Sequence, residues 1–581
     1  MQPVSLHTKV RRKLSGTSFH TNPLVDVVMR RRGVYASSRM EYDLRNLHTF
    51  GSLKGIEDAR RIISDAIVAD KKILILADYD CDGATSCAVM VRGLRMLGAK
   101  NVDYSVPDRF TMGYGTSPAL VDSIADRNPD LIITVDNGIS SFEGIERIRE
   151  IMPNTKVVVT DHHMAPKDGS LPNADAIVNP NQHGCDFPSK AIAGCGVAWY
   201  TTIAVRAFMR DNGLFQRIGV EEPNLAYLVD LVALGTVADV VALDYNNRTI
   251  VSVGINLIRS GGACLGINAL ADSCGKAVED IVSSDFAFSF GPKINSAGRL
   301  TDMRYGIECL LSDDPYYAGL CSKELSRTND TRKDIQNWMI DVANNMVKDI
   351  PDSNLSIVVA NEDFNEGVVG LVASRIKESF GVPTFIFTKN EEGMMKGSGR
   401  SVNGAHLFNI LNELQDAYKA ETGEKLMEGF GGHAMAAGLS IKPEKLDTFT
   451  QMLDDVVRNY INKPFDVIET DGVVNASHLT MENIEELKMA SPFGQGFPEP
   501  VLETKLKVLK TRKSKDKKHL FYDLSDGFSE FTGIAFNYSE KEHLYRIPEV
   551  DSEEDIHLVF RPDVSEFRGK TEFKMILEAA I

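Results

Sequence analysis

The chain has 581 residues, 43% of them hydrophobic and 25% charged. These are globular proportions, and they exclude a fibrous or wholly disordered chain. Acids outnumber bases by 81 to 64, a net charge of −17. That argues against a chain coated in positive charge for indiscriminate nucleic-acid binding, but it leaves room for a local basic groove.

At about 150 residues per domain the length predicts two to four domains. The eight cysteines include no CxxC pair, and none lies beyond Cys321. That is neither a disulfide framework nor a zinc ribbon, and it predicts a reducing cytoplasm. The N-terminal run MQPVSLHTKVRRKLSG carries charge without an apolar core, so a secretory signal is not expected. The most apolar stretch, 191–209, is interrupted by Arg206 and predicts a buried core helix, not a membrane span.

The first 50 residues are Arg-rich and weakly patterned, and read as an N-terminal basic segment. The pattern then sharpens. KKILILAD (71–78), LIITVDNG (131–138), KVVVTDHH (156–163) and ADAIVNPN (174–181) are short apolar runs bounded by turn residues, as suits strands buried on both faces. Helical stretches at 84–97, 118–126 and 141–151 alternate with them, which predicts a parallel sheet in an α/β domain over 51–313. Residues 314–350 have helical spacing with no strand pattern, and predict a connecting helix stopped by Pro351.

A second α/β domain is predicted over 351–463. LSIVVAN (355–361) and VPTFIFTKN (382–390) read as strands and 366–380 as a helix. MMKGSGRS (394–401) reads as a strand running into a loop, and GFGGHAMAAGLSI (429–441) as a glycine-rich loop leading into helix or strand. Over 464–581, alternating runs such as HLFYDLSD and FTGIAFNY predict a small antiparallel barrel or sandwich, with PFGQGFPEP (492–500) as a rigid turn inside it.

The acids carry the chemistry. Asp78, Asp80 and Asp82 follow the first predicted strand, Asp136 ends the second, and Asp161, His162 and His163 end the third. Ligands of an open parallel sheet bind at the carboxyl ends of its strands. One acid after a strand is an ordinary turn former or helix cap, but packing gives no reason for seven such residues at three strand ends. The set is oxygen-rich with imidazole and no thiolate, which favours Mg²⁺ or Mn²⁺. So many carboxylates repel one another unless cations intervene, and two ions are expected. A pair about 4 Å apart activates water and stabilises both oxygens of an in-line phosphoryl displacement. Asp239 interrupts the apolar run LVDLVALGTVADVVAL (228–243); a buried lone carboxylate needs a partner, and metal is the sharp reading. Asp230 in the same run reads as facing a polar neighbour.

ADYDCDG, TVDNGIS, TDHH and GTVADV resemble motifs I to IV of the DHH phosphoesterase superfamily. The extended set is similar to the RecJ exonuclease family, single-strand-specific 5′→3′ DNA exonucleases. It includes VPDRF…GYG (106–115), VNPN (178–181), FGPKINSAGRL (290–300), EGVVGLVASRIKE (366–378), KGSGRS (396–401), GFGGHAMAAGLS (429–440) and SPFGQGFPEP (491–500). The match runs from about residue 30 to the C-terminus. DHH alone is a weak signal, but spaced motifs in the right order are specific.

The resemblance implies two metal ligands from motif I, Asp80 and Asp82, with Asp78 either a ligand or a residue that orients one. It implies Asp136 bridging the metals, His162 and Asp239 as ligands, His163 facing the substrate phosphate, and Asp161 orienting the histidines. Cys81 departs from the alanine usual in RecJ; a side chain pointing away from the site should tolerate the change, though a thiol near a metal site could be oxidation-sensitive. The second α/β domain resembles DHHA1. Its glycine loops, with Ser398, Arg400, Gly432 and His433, are implied to bind nucleic acid, and glycine-rich backbone does present N–H groups to phosphate. Arg109 and Arg299 read as phosphate contacts or structural ion pairs. The C-terminal domain resembles the OB fold of RecJ. There KLKVLKTRKSKDKK (505–518) carries eight Lys or Arg against one acid, with Phe521, Tyr522, Phe536 and Phe567 nearby.

The expected fold is therefore two α/β domains, of DHH and DHHA1 type, joined by a long helix and followed by an all-β OB-like barrel. The expected function is a metal-dependent single-strand exonuclease releasing mononucleotides from the 5′ end in DNA recombination and repair. Single-stranded DNA is the substrate, a single-strand binding protein and a RecQ-type helicase are implied partners, and a cytoplasmic monomer without a membrane is expected. Two readings compete. A phosphodiesterase for short oligonucleotides or cyclic dinucleotides is usually shorter and lacks the third domain. A non-catalytic replication scaffold would have lost metal ligands, and here every motif I to IV acid and histidine is present.

Overall fold

The computed structural model describes residues 5–348, 350–351, 353–461, 465–540, 542–547, 555–567 and 570–581. The chain forms two compact units. The first is Ala36–Asp330 with Met489–Glu499, and the second is Met1–Tyr35 with Thr331–Lys488 and Pro500–Ile581.

The first unit holds a sheet of five parallel strands. Across it the order is Val102–Ser105, Ile73–Ala77, Leu131–Val135, Lys156–Thr160 and Ala176–Val178. In chain order this is 2-1-3-4-5, a doubly wound sheet whose switch point lies between its first and third strands. Those two strands, ILILA and LIITV, are buried at every position, the signature of a sheet covered on both faces. On one face Leu74, Leu76, Ile132, Val157 and Val159 pack against Leu120, Val121, Ile124, Ile145 and Ile148 of the flanking helices. The edge strand Val102–Ser105 has no counterpart in the sequence reading. Only Val102 of its four residues is buried, so it lacks the apolar run that marked the others.

The stretch 191–209 is, as expected, a buried core helix, Gly194–Asp211. Among the described residues no single helix is long and apolar enough to cross a membrane.

A 33-residue helix, Pro315–Val347, carries the chain from the first unit into the second. The second unit contains a five-stranded mixed sheet in the order Gly429–Gly432, Ala436–Ile441, Met395–Arg400, Thr384–Lys389 and Ile357–Ala360. Its core joins Phe385, Phe387, Leu407, Leu411, Phe449 and Leu453. A closed barrel follows, with Leu502–Lys513, Leu520–Ser525, Glu530–Ala535, Lys570–Ala580 and Asp555–Phe567 in order around it. One of its pairings, Gly533 with Met575, is parallel, so the barrel is not purely antiparallel.

Three expectations are corrected. The strand read at 394–401 runs through all its glycines to Arg400 before the loop begins, and the GFGG run is a strand, not a loop. Glycine is depleted in strands, but here Phe387 and Phe385 fill the space that a Cβ at Gly397 or Gly399 would take. The N-terminal segment is not unpatterned: Ser5–Val10 pairs in parallel with Phe465–Thr470, and a helix spans Pro23–Arg31. The buried Asp471 accepts Arg32 at 2.8 and 3.0 Å, which ties the segment down. Finally, the PFGQG turn does not cluster in the same unit as the barrel. Residues 489–499 belong to the first unit.

Candidate metal centre and nucleic-acid surfaces

The switch point places the motif I and motif II acids side by side, at the ends of adjacent strands. Asp80 caps the helix Cys81–Met96, its Oδ1 accepting Gly83 N–H at 2.9 Å. Asp136 sits in the left-handed region at φ 60°, a conformation costly for a non-glycine residue unless its surroundings fix it. Asn137 supplies that fixing: its Nδ2 donates to Leu76 O and Val135 O, and its Oδ1 accepts from Thr116. Gly194 must be glycine, because a Cβ there would lie 2.5 Å from Asp136 Oδ1.

His162 Nε2 lies 3.2 Å from Asp136, 3.4 Å from Asp239 and 3.9 Å from Asp82. Potential ligand atoms of Asp136, His162 and His163 fall within 4.8 Å of one another, as do those of Asp82, His162 and Asp239, and those of Asp78, Asp80 and Asp136. The structure therefore brings all six expected ligands, Asp78, Asp80, Asp82, Asp136, His162 and Asp239, into one cluster. Asp82 also anchors a neighbouring helix. Its two oxygens accept the N–H groups of Gly194 at 2.6 Å and Cys195 at 3.0 Å, at the start of the Gly194–Asp211 helix. That anchoring was illegible in sequence, because its partners are more than a hundred residues away.

The electrostatics is that of a site built for cations. Burial first, and then the charges of neighbouring carboxylates, push Asp78, Asp136 and Asp239 well above the ordinary carboxylate value. Asp80 is pushed up by the same causes. Burial pulls His162 down, which favours the neutral imidazole that a metal ligand requires. Asp78 Oδ1, Asp136 Oδ1 and His162 Nε2 are buried without a hydrogen-bond partner. Buried polar atoms are almost always satisfied, so these orphaned atoms, in overlapping groups that share Asp136, fit bound divalent cations.

Asp161 holds the His163 ring and the backbone N–H groups of both histidines. Its Oδ1 accepts from His162 N, His163 N and His163 Nδ1 at 2.7 to 3.0 Å, and its Oδ2 from Ile139 N at 2.9 Å. Burial raises the Asp161 carboxyl, but the His163 hydrogen bond and charge outweigh it and hold it low. Burial pulls the His163 imidazole down, while the Asp161 bond and charge raise it further, to about 9. His163 Nε2 meets the Tyr114 hydroxyl at 3.2 Å, a partner missed in sequence although GYG stood in a noted motif.

Arg109 lies over the Tyr79 ring at 5.0 Å, beside a polar cavity of about 460 Å³ that Tyr79, Arg109, Thr301 and Arg304 help to line. Arg299 ends the helix Gly291–Leu300. In that helix Asn295, also unnoticed, accepts Cys81 N–H at 2.7 Å and braces motif I. Asp230 meets polar partners as expected, the backbone N–H groups of Leu231 and Cys264. The Cys81 expectation is corrected. Its thiol is 1% exposed, and burial followed by the nearby acids pushes it well above its usual value. A thiol closed off from solvent in this way is shielded from oxidants.

In the second unit, Ser398, Gly438 and Gly431 form one cross-strand row. A Cβ at Gly431 would meet nothing within 4 Å and one at Gly438 only Gly397 O at 3.9 Å, so the two glycines leave bare backbone beside Ser398. Arg400 is on the same face, its Nη1 donating to Ser398 Oγ at 3.0 Å and Gly399 O at 2.8 Å. Gly432 has φ 144°, and His433 is exposed beyond it. On the barrel all eight cations of 505–518 are exposed, along Leu502–Lys513 and the turn after it. Phe536 is exposed and Phe521 half-buried, with Arg512 5.0 Å over its ring. Tyr522 is core, 0% exposed, and the Phe567 side chain lies outside the described residues. Phe528, 98% exposed at a hairpin tip, was missed.

The sheet, its switch point and the acid cluster define a DHH-type phosphoesterase. The DHH family N-terminal domain model matches residues 72–236, the DHHA1 domain model 354–459, and the RecJ OB domain model 470–579. The chain is 40% identical over 555 residues to the single-stranded-DNA-specific exonuclease RecJ of Dickeya dadantii, covering 94% of each chain. It is 38% identical to that of Escherichia coli over 564 residues, 96% of this chain and 95% of that one. The chain belongs to the RecJ exonuclease family. Its fold matches the crystal structure of RecJ with Mn²⁺ from Thermus thermophilus at TM-score 0.80 and 24% identity, over 100% of this chain and 80% of that one. A second structure, exonuclease RecJ bound to manganese, matches at TM-score 0.57 and 29% identity, over 71% and 96%.

Proposed function

We propose that this chain is a single-stranded-DNA-specific 5′→3′ exonuclease, releasing 5′-mononucleotides by two-metal-ion phosphodiester hydrolysis in DNA recombination and repair. The observation that carries the reading is the convergence of orphaned Asp78, Asp136 and His162 atoms on buried acids. Asp78, Asp80, Asp82, Asp136, His162 and Asp239 would hold Mn²⁺ or Mg²⁺. Two such ions, when bound, supply an activated water and charge stabilisation for an in-line displacement.

The chain's own residues do the rest. Asp161 fixes the His163 ring, and His163 offers Nε2–H to the scissile phosphate. Arg109 and Arg299 add positive charge beside Tyr79. Ser398, Arg400, the Gly432 backbone and His433 hold the 5′-terminal phosphate on the glycine shelf, and this end recognition sets the polarity. The cationic ribbon 505–518 anchors the strand, as OB folds do with a basic groove and stacking rings.

The domain division proposed is 51–313, 351–463 and 464–581, with 489–499 serving the first domain. The likeness to RecJ adds a single-strand binding protein and a RecQ-type helicase as partners, a monomer and a cytoplasmic setting; eight free cysteines support the last. The test is digestion of end-labelled DNA. The reading expects 5′-label released first as mononucleotide, from single strands and only with divalent metal. Internal cuts, duplex digestion or release in chelator would contradict it.

A further inference from the structure

We propose that the PFGQGF turn (492–497) is a positioning element for the Asp239 carboxylate, so that divalent-cation affinity at the cluster depends on it. The inference rests on the reading of Asp239 as a metal ligand. Asp239 ends the helix Val229–Ala238, and the next residue, Val240, is left-handed at φ 59°. A β-branched residue holds that conformation only where its surroundings over-determine it. Val240 does not hold itself, since its side chain is 61% exposed. The constraint comes from the residues just after it.

Leu243 N–H donates to Gln495 O at 2.7 Å. Gly494 and Gly496 allow this approach: a Cβ on either would lie 2.7 Å from Leu243 or 3.1 Å from Ala242. The turn itself is stiff. Phe493 and Phe497 stack with centroids 6.0 Å apart and planes 11° apart, and the Arg248 guanidinium lies 3.9 Å over the Phe497 ring. Phe493 O accepts from Ser283 Oγ at 2.8 Å.

The same segment reaches the holder of Asp82. Asn247 Nδ2 donates to Ala242 O at 2.9 Å and to Ala191 O at 2.8 Å. Ser189 Oγ donates to Asp244 at 2.6 Å. Residues 189–191 lead directly into Gly194, whose N–H grips Asp82. One turn, contributed from about 250 residues downstream, thus fastens the strip between two of the acids that surround His162.

The experiment measures Mn²⁺ binding to the full chain by the electron paramagnetic resonance of free Mn²⁺, alongside hydrolysis across a Mn²⁺ series. Phe497→Ala is expected to weaken Mn²⁺ binding about tenfold or more, the usual effect of losing a group that orients a ligand from behind. Hydrolysis should recover as Mn²⁺ is raised, while single-strand binding in chelator stays near that of the parent. Phe497→Tyr keeps the stack and should restore parental affinity. Gly496→Ala keeps every other side chain but strains a left-handed position, φ 71°, with its Cβ 3.1 Å from Ala242, and decides the matter if Phe497→Ala does not fold. Parental Mn²⁺ affinity in a folded Phe497→Ala or Gly496→Ala variant would overturn the inference. A parent chain that binds no Mn²⁺ would instead overturn the reading of the cluster itself.

Discussion

The acid cluster of the first unit and the cationic ribbon of the second hold their charges in opposite ways. In the cluster, Asp78 and Asp136 are buried, Asp239 is half-buried beside them, and the carboxylates crowd one another, so their ionisation is opposed until a cation arrives. On the ribbon, Lys505, Lys507, Lys510 and Arg512 are exposed, and among the described residues none of them forms a salt bridge. The first arrangement stores unfavourable electrostatics and gives geometric precision. The second costs little, is screened by salt, and gives affinity without precision. On the proposed function, chemistry belongs to the cluster and retention of the strand to the ribbon, and each variant should damage one and spare the other.

The largest effect is expected at Asp136. Asp136→Ala should lower hydrolysis by about 10²–10³-fold or more, the range for removing one electrostatic element of an active site. Thermal melting and single-strand binding should stay near parental, and a filter-binding assay beside the nuclease assay checks both. Next comes Arg400→Ala. A charge-assisted phosphate contact is worth about 1.5–3 kcal/mol, so activity on 5′-phosphorylated strands should fall roughly 10- to 150-fold with Mn²⁺ binding unchanged. Comparing 5′-phosphate with 5′-hydroxyl substrate in both proteins isolates the effect; a parent without preference would place end recognition elsewhere.

A smaller change is expected from replacing Lys505, Lys507, Lys510 and Arg512 together by Ala. Each phosphate contact contributes about 0.7 to the salt slope of single-strand binding. The quadruple variant should flatten that slope by about 3 if all four touch phosphate, while cleavage of short oligonucleotides persists. An unchanged slope would make the ribbon a solvated surface only.

The smallest effect is a pH dependence of the metal-free chain. Asp78, Asp136 and Asp239 lie above 3.8 when folded, so the folded state binds more protons than the unfolded one. Stability then falls as pH rises above 3.8. His163, raised from 6.5 to about 9, acts in the same direction: its stabilisation is present below 6.5 and lost as pH rises through 9. In chelator the melting temperature should drop between about pH 5 and 9, and added Mn²⁺ should shrink the drop, as ligand binding to the folded state stabilises it.

The contrast also explains what was legible in the sequence. Acids following apolar runs announced the cluster, because strand ends of a parallel sheet converge whatever the rest of the chain does. The groups that hold those acids were not legible. Gly194 and Cys195 grip Asp82, Asn295 braces Cys81, and Gln495 holds the strip after Asp239, all through backbone or across long sequence distances. Glycines misled where an aromatic ring replaced the missing side chains, as Phe385 and Phe387 do behind Gly399 and Gly397. The ribbon was legible as charge, yet its aromatics were not separable from core: Tyr522 turned inward, and Phe528 at the hairpin tip gave no pattern.

The central claim is that the buried acids form a two-cation site on which hydrolysis depends. Counting Mn²⁺ bound per chain at equilibrium, in the parent and in Asp136→Ala, tests it most directly. The account predicts two ions per parent chain, with at least one lost in the variant together with its nuclease activity. Two ions retained by Asp136→Ala, or a parent that digests single strands with none bound, would contradict it.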